Sequence, residues 1–306
     1  MLSADGKALS DTFVDSAHRS LGERAQPSWP TSKPESESYP PLEKFLNDCA
    51  EVCHSVLDGI GGAASRGERW YDTLKFIVYD KITEDGVDGS SPVKPDLVGG
   101  LDLNPGVRAA WSPRDQNMNQ VLLPVEVKKD WLPMVVQAAT YARCLFSASP
   151  SRQFALVLGF RHVKAELRFL VFHRSGLTAS KPLSVNDEQG RKDILRVLFS
   201  ILSWKSTGDA GFLEFYNDTE MSLFYREDDT TGVVARVTEV LHDGLCVLGR
   251  ASRVLLVAYS SRSGEEQEPE VPTLRTTVRS RGRSKPEIQI DRGGETRMSF
   301  RAYVLR

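Results

Sequence analysis

The sequence predicts an α/β fold in which a small mixed sheet is flanked by helices. Three observations carry it. A helix-period apolar series opens the ordered part of the chain. Three β-type runs follow it as a group. A second helical pattern then separates that group from two further β-type runs. This order places the domain at residues 41–225, with 1–40 before it and 226–306 after it.

The first helix rests on Leu42, Phe45, Leu46, Cys49, Val52, Cys53 and Val56, which recur every three or four residues and stop near Gly59. Strands are expected near 75–82, 96–102 and 121–128, the last reading VLLPVEVK. Trp131 to Phe146 reads as a helix, with Pro133 in the first turn, where proline is tolerated. Two strands near 154–160 and 166–173 and a helix over Asp193–Trp204 complete the domain.

The flanks read differently. Residues 1–40 are rich in Ser, Pro and charge, a composition that predicts disorder with one short helix near Ser10–Leu21. Val240–Ser260 holds two β-like runs. Residues 261–295 read as a disordered insert with an acidic block (Glu265–Glu270) and a basic one (Arg279–Lys285). Met298–Leu305 reads as a last strand without neighbours.

Composition narrows the class. The 306 residues allow one large domain or two small ones, and the formal net charge of -2 points to no particular partner. No apolar run approaches the ~20 residues of a membrane span, and the N-terminus lacks the apolar core of a secretory signal. Cys49 and Cys53 lie on one helix face, and with Cys144 and Cys246 they form no zinc spacing. The expectation is an intracellular protein, cytoplasmic or nuclear, free of disulfides.

One set of polar residues stands out within the domain. Asp96 opens the second strand, Glu126 and Lys128 share a face of the third, and Gln137 and Tyr141 share a face of the helix that follows. Phosphodiester hydrolysis asks for carboxylates that hold a hard cation and for a positive group near the developing charge. Asp96 and Glu126 could hold Mg²⁺, Lys128 could stabilise the attacking hydroxide, and Glu51 is a candidate further acid. The set resembles the site of metal-dependent nucleases of the PD-(D/E)xK type. That resemblance implies a restriction-endonuclease-like architecture, with Gln137 and Tyr141 positioning the site. The plainer reading makes Glu126 and Lys128 a solvated strand face. Lys128 would then be an exposed lysine of little weight in stability.

A second resemblance covers most of 41–306. Val125–Lys128, Gln137–Arg143, Ala155–Val185, Arg196–Trp204 and Leu248–Val254 are similar to the fungal-type protein kinase family. In longer members this region runs into a protein-kinase fold, so 226–306 is expected to be a partial kinase N-lobe. Gly249 matches the first glycine of a phosphate loop, but Ala251 and Ser252 or Arg253 stand where more glycines belong. Arg306 stands where the phosphate-pairing lysine is expected, and the two side chains are not equivalent. His173-Arg174-Ser175 lacks the catalytic-loop Asp, and there is no Asp-Phe-Gly. The chain therefore reads as a stretch that stops before the catalytic loop, with neither ATP nor phosphotransfer expected. The expected role is a regulatory or binding module. The alternatives are a metal-dependent nuclease and a scaffold without a site. Nucleic acid and protein both remain open as partners, and a membrane does not.

Overall fold

The computed structural model describes residues 11–24, 28–59, 69, 71–83, 93–111, 118–149, 152–173, 175–206 and 208–212 in full. It describes 220–223, 233–243, 253–258 and 301–305 as backbone. The chain divides into two compact units, Met1–Phe212 and Leu213–Arg306.

Among the described residues, the first unit has four α-helices: α1 (Asp11–Gly22), α2 (Tyr39–Gly59), α3 (Trp131–Ala148) and α4 (Glu188–Leu202). Its main sheet is built from β1 (Leu74–Val78), β2 (Leu97–Leu101), β5 (Leu123–Lys128), β6 (Phe154–Arg161), β7 (Glu166–His173) and β8 (Gly176–Ala179), in that spatial order. The short β9 (Leu183–Ser184) also pairs with β7. Two-residue strands β3 (Ala109–Ala110) and β4 (Asn119–Gln120) pair by themselves before β5. All main-sheet pairs are antiparallel except β5 with β6, whose parallel pairing needs the crossover helix α3.

Period-two alternation along β5 separates two layers. Leu123, Val125 and Val127 join the large apolar core with residues of α1, α2 and α4. Glu126, between them, is equally buried and meets α3. On β6, Leu156, Leu158 and Phe160 face that same core. Gly159, opposite Glu126, lets Met134 of α3 lie close to the sheet, where a Cβ would collide with its sulfur.

Local chemistry sets the element ends. Pro40 and Pro41 stand in the first turn of α2, where no amide donor is needed. β1 stops at Val78 rather than Ile82 because the amides of Tyr79 and Asp80 both donate to the Asp96 carbonyl, with Asp80 at φ 41°. Helix α4 starts at Glu188, five residues before the expected Asp193. The Asp187 side chain accepts from the Gly190 amide at 2.6 Å, a side-chain cap.

Two expectations need correction. Residues 1–40 are not disordered throughout. The helix expected near Ser10–Leu21 exists as α1, burying Val14, Ala17 and Leu21 against α2 and α4. Asp11 and Asp15 pair with Arg196 and Lys192 of α4, each at 2.8 Å. Trp29 then packs on Phe45 and Phe160, with ring centroids 5.8 and 5.1 Å away. The first unit also ends at Phe212 rather than 225. The backbone of β10 (Glu220–Leu223) spends its hydrogen bonds on the second unit.

The second unit is an antiparallel sheet in the order β10, β11 (Val233–Asp243), β12 (Arg253–Ala258) and β13 (Arg301–Leu305). The final strand is therefore paired, with Arg253–Val257 of β12. The insert expected over 261–295 lies outside the described residues, as do Arg174, Cys246, Gly249 and Arg306. Among the described residues, no helix is long and apolar enough to cross a membrane.

Candidate functional site

The pairing register builds the site. Leu97 faces Val125 and Val98 faces Pro124, so one further step sets Asp96 opposite Glu126 at the end of the two strands. Parallel pairing and the α3 crossover then carry Gln137 and Tyr141 back over Glu126. The structure thus brings together all five residues singled out around this strand pair: Asp96, Glu126, Lys128, Gln137 and Tyr141.

Asp96 is buried. One carboxylate oxygen accepts from the Tyr39 hydroxyl at 2.6 Å, and the other from the Val127 amide at 2.7 Å. Glu126 is fully buried. Its Oε2 accepts from the Tyr141 hydroxyl, and its Oε1 faces Lys128 Nζ at 2.7 Å. That second contact is ionic in geometry, because Oε1 makes no well-aligned hydrogen bond. The Tyr141 hydroxyl also accepts from Gln137 Nε2 at 3.0 Å and lies 2.9 Å from the Lys94 carbonyl. Gln137 therefore orients Tyr141 rather than reaching the carboxylates.

Lys128 is the hub. Its ammonium lies 2.7 Å from Glu126, 3.1 Å from Glu35 and 3.9 Å from Asp96, and it donates to the Val127 carbonyl at 3.0 Å. Only 24% of the side chain is exposed. The plain expectation of a solvated lysine is therefore corrected: strand alternation turns it inward with Glu126.

The electrostatics follow from burial. Loss of hydration pushes the Glu126 carboxyl up to about 7, and the neighbouring Asp96 charge adds to the rise. Burial also raises Asp96, against the Tyr39 and Val127 donors that favour its charged form. Burial acts to lower Lys128, but Glu126, Asp96 and Glu35 together hold it above the usual lysine range. Both tyrosine hydroxyls are held well above the phenol range, first by burial and then by their carboxylate partners.

Two participants escaped the sequence reading. Tyr39 contributes from the start of α2, and Glu35 from the 3₁₀ turn Glu35–Ser38 just before it. Glu51, the further acid considered, points elsewhere: it is exposed and pairs with Arg24 at 2.9 Å. Cys49, Cys53 and Cys144 are buried, and burial pushes the thiols of Cys49 and Cys53 up. Among the described residues, no three His, Cys, Asp or Glu side chains gather as a metal-ligand group.

Comparison with known proteins adds one finding. A family model described as fungal protein kinase matches residues 101–271, more than half of the chain. No curated protein and no solved structure matches it.

Proposed function

The chain belongs to the fungal protein kinase family, and on that premise we propose that it acts as a regulatory or binding module rather than as a phosphotransferase. The observation that carries this reading is the closure of the polar cluster. Each carboxylate oxygen of Asp96 and Glu126 faces a donor of the chain itself: Tyr39, the Val127 amide, Tyr141 or Lys128. Such a network fixes the geometry of a buried surface. The second unit supports the kinase side of the proposal. Its antiparallel order, with residues 248–252 between β11 and β12 in sequence and Arg253 and Val254 opening β12, suits a kinase-type N-lobe whose phosphate loop has kept only Gly249. Residues 1–306 hold no His-Arg-Asp and no Asp-Phe-Gly, the groups that supply the base and hold Mg-ATP. Purified chain incubated with Mg-ATP should therefore incorporate no phosphate into itself or into generic substrates. Incorporation that disappears in Arg306→Ala would sink the proposal.

A second reading, a metal-dependent nuclease of PD-(D/E)xK type, has its own support. The succession α2, β1, β2, β5, α3, β6 gives a mixed four-strand core with Asp96 just before β2 and Glu126 within β5. The Lys128 ammonium also lies among oxygens that a hard cation would take: Glu126, Asp96 and the Val127 carbonyl. In this reading Asp96 and Glu126 would hold Mg²⁺. Bound there, the cation would supply Lewis-acid polarisation of a phosphodiester. In this reading Lys128 swings to the substrate side, while Tyr141 and Gln137 hold Glu126 in place. Cleavage of DNA or RNA with Mg²⁺ or Mn²⁺, lost in Asp96→Asn and Lys128→Arg, would establish it. Absence of cleavage together with no calorimetric heat of Mn²⁺ binding would retire it.

A further inference from the structure

We infer that the outer side of Lys128 is an exchangeable oxyanion position, held in this structure by the chain's own Glu35. The inference rests on reading the first unit as a binding module.

Glu35 belongs to a segment that crosses the site from outside. Trp29 anchors the segment between Phe45 and Phe160, and Tyr39 anchors its other end on Asp96 at 2.6 Å. Between these anchors, the turn Glu35–Ser38 has no side-chain cap. Glu35 reaches Lys128 across 93 positions of sequence, at 3.1 Å. It is 38% exposed at the side chain, whereas the acids on the inner side of Lys128 are 7% and 0% exposed. The inner contacts are therefore sequestered, while the outer one borders solvent. A half-exposed ion pair adds little to stability, so another anion can replace it at small cost.

Charge and donors agree with an oxyanion as the occupant. Replacing Glu35 by another monoanion leaves the local charge unchanged, so the two buried carboxylates repel the incoming group no more than they repel Glu35. Lys129, the next residue along the chain, is exposed. The Lys128 ammonium already holds a carboxylate there at 3.1 Å, and its donors suit phosphate or carboxylate oxygens equally.

The test titrates inorganic phosphate, and acetate in parallel, into the full chain at constant ionic strength. The readout is the Lys128 side-chain NMR resonance. Glu35→Gln keeps the shape and removes the resident charge, so it should bind phosphate about two- to fivefold more tightly than the wild type. Glu35→Asp keeps the charge on a shorter arm and should fall between the two. The gain should vanish in Glu35→Gln/Lys128→Met, which removes the ammonium, with binding to this variant read by titration calorimetry. A gain with acetate equal to that with phosphate assigns the position to carboxylates, and a gain with phosphate alone assigns it to phosphate esters. Equal affinity in wild type, Glu35→Gln and Glu35→Asp overturns the inference. So does a gain that survives the Lys128 change. Failure of the binding-module reading would show instead in the phosphotransfer and cleavage assays on wild-type protein.

Discussion

The two faces of the main sheet use the same strands for opposite purposes. On the face covered by α1, α2 and α4, the buried residues of β5 are Leu123, Val125 and Val127, and their neighbours are apolar. On the α3 face the same strand presents Glu126 and Lys128, held by Tyr141, Asp96 and Glu35. The first face stabilises the fold by removing apolar surface from water. The second buries a carboxylate at a net cost, and partners only limit that cost. One face is thus organised for stability and the other for geometry, with alternation along a single strand keeping them apart.

The largest effect that separates the faces is expected from Phe45→Ala. Phe45 is 1% exposed in the apolar layer, and its removal should cost about 3–5 kcal/mol by urea denaturation. A loss below ~1 kcal/mol would break the assignment of the stabilising core to that face.

The α3 face should instead make stability depend on pH. The Glu126 carboxyl is raised from 4.5 to about 7 in the fold, so between these values the folded chain holds a proton that the unfolded chain has released. Stability is then fullest below about pH 4.5 and falls as pH rises through about 7, by roughly 3 kcal/mol in total. Melting temperatures from pH 5 to 8 should show this fall in the wild type and a flatter profile in Glu126→Gln. A wild type that gains stability over this range would contradict the sign.

Lys128→Met sharpens the same point with a smaller effect. Removing the counter-charge should cost about 2 kcal/mol at pH 8, where Glu126 is ionised, and much less at pH 5, where it can keep its proton. Equal losses at both pH values would mean that Lys128 acts through packing alone. The smallest change is Tyr39→Phe, which removes one donor from Asp96 and should cost about 1–2 kcal/mol. It should raise the Asp96 titration, measurable by carboxyl NMR.

What the sequence made legible divides along similar lines. The strands at 97–101, 123–128, 154–161 and 166–173 were readable because their β-type runs are local and uninterrupted. Asp96, Glu126, Lys128, Gln137 and Tyr141 were readable because strand and helix periods alone put the neighbours within each element on shared faces. Helix α1 was harder to see. Its apolar residues Val14, Ala17 and Leu21 are few, and what orders it is packing against α2 and α4. Tyr39 and Glu35 left no local signal, since each acts on a residue far along the chain. The inward turn of Lys128 was hidden for the same reason, because its environment includes Glu35.

The long-range closure of the site also sets its cost in chain entropy. Tyr39 meets Asp96 across 57 positions, and Glu35 meets Lys128 across 93. Contacts of such separation carry a loop-closure cost that the neighbouring strands β6 and β7 do not share. The N-terminal segment thus acts as a closing stitch, joining parts of the chain that lie far apart in sequence.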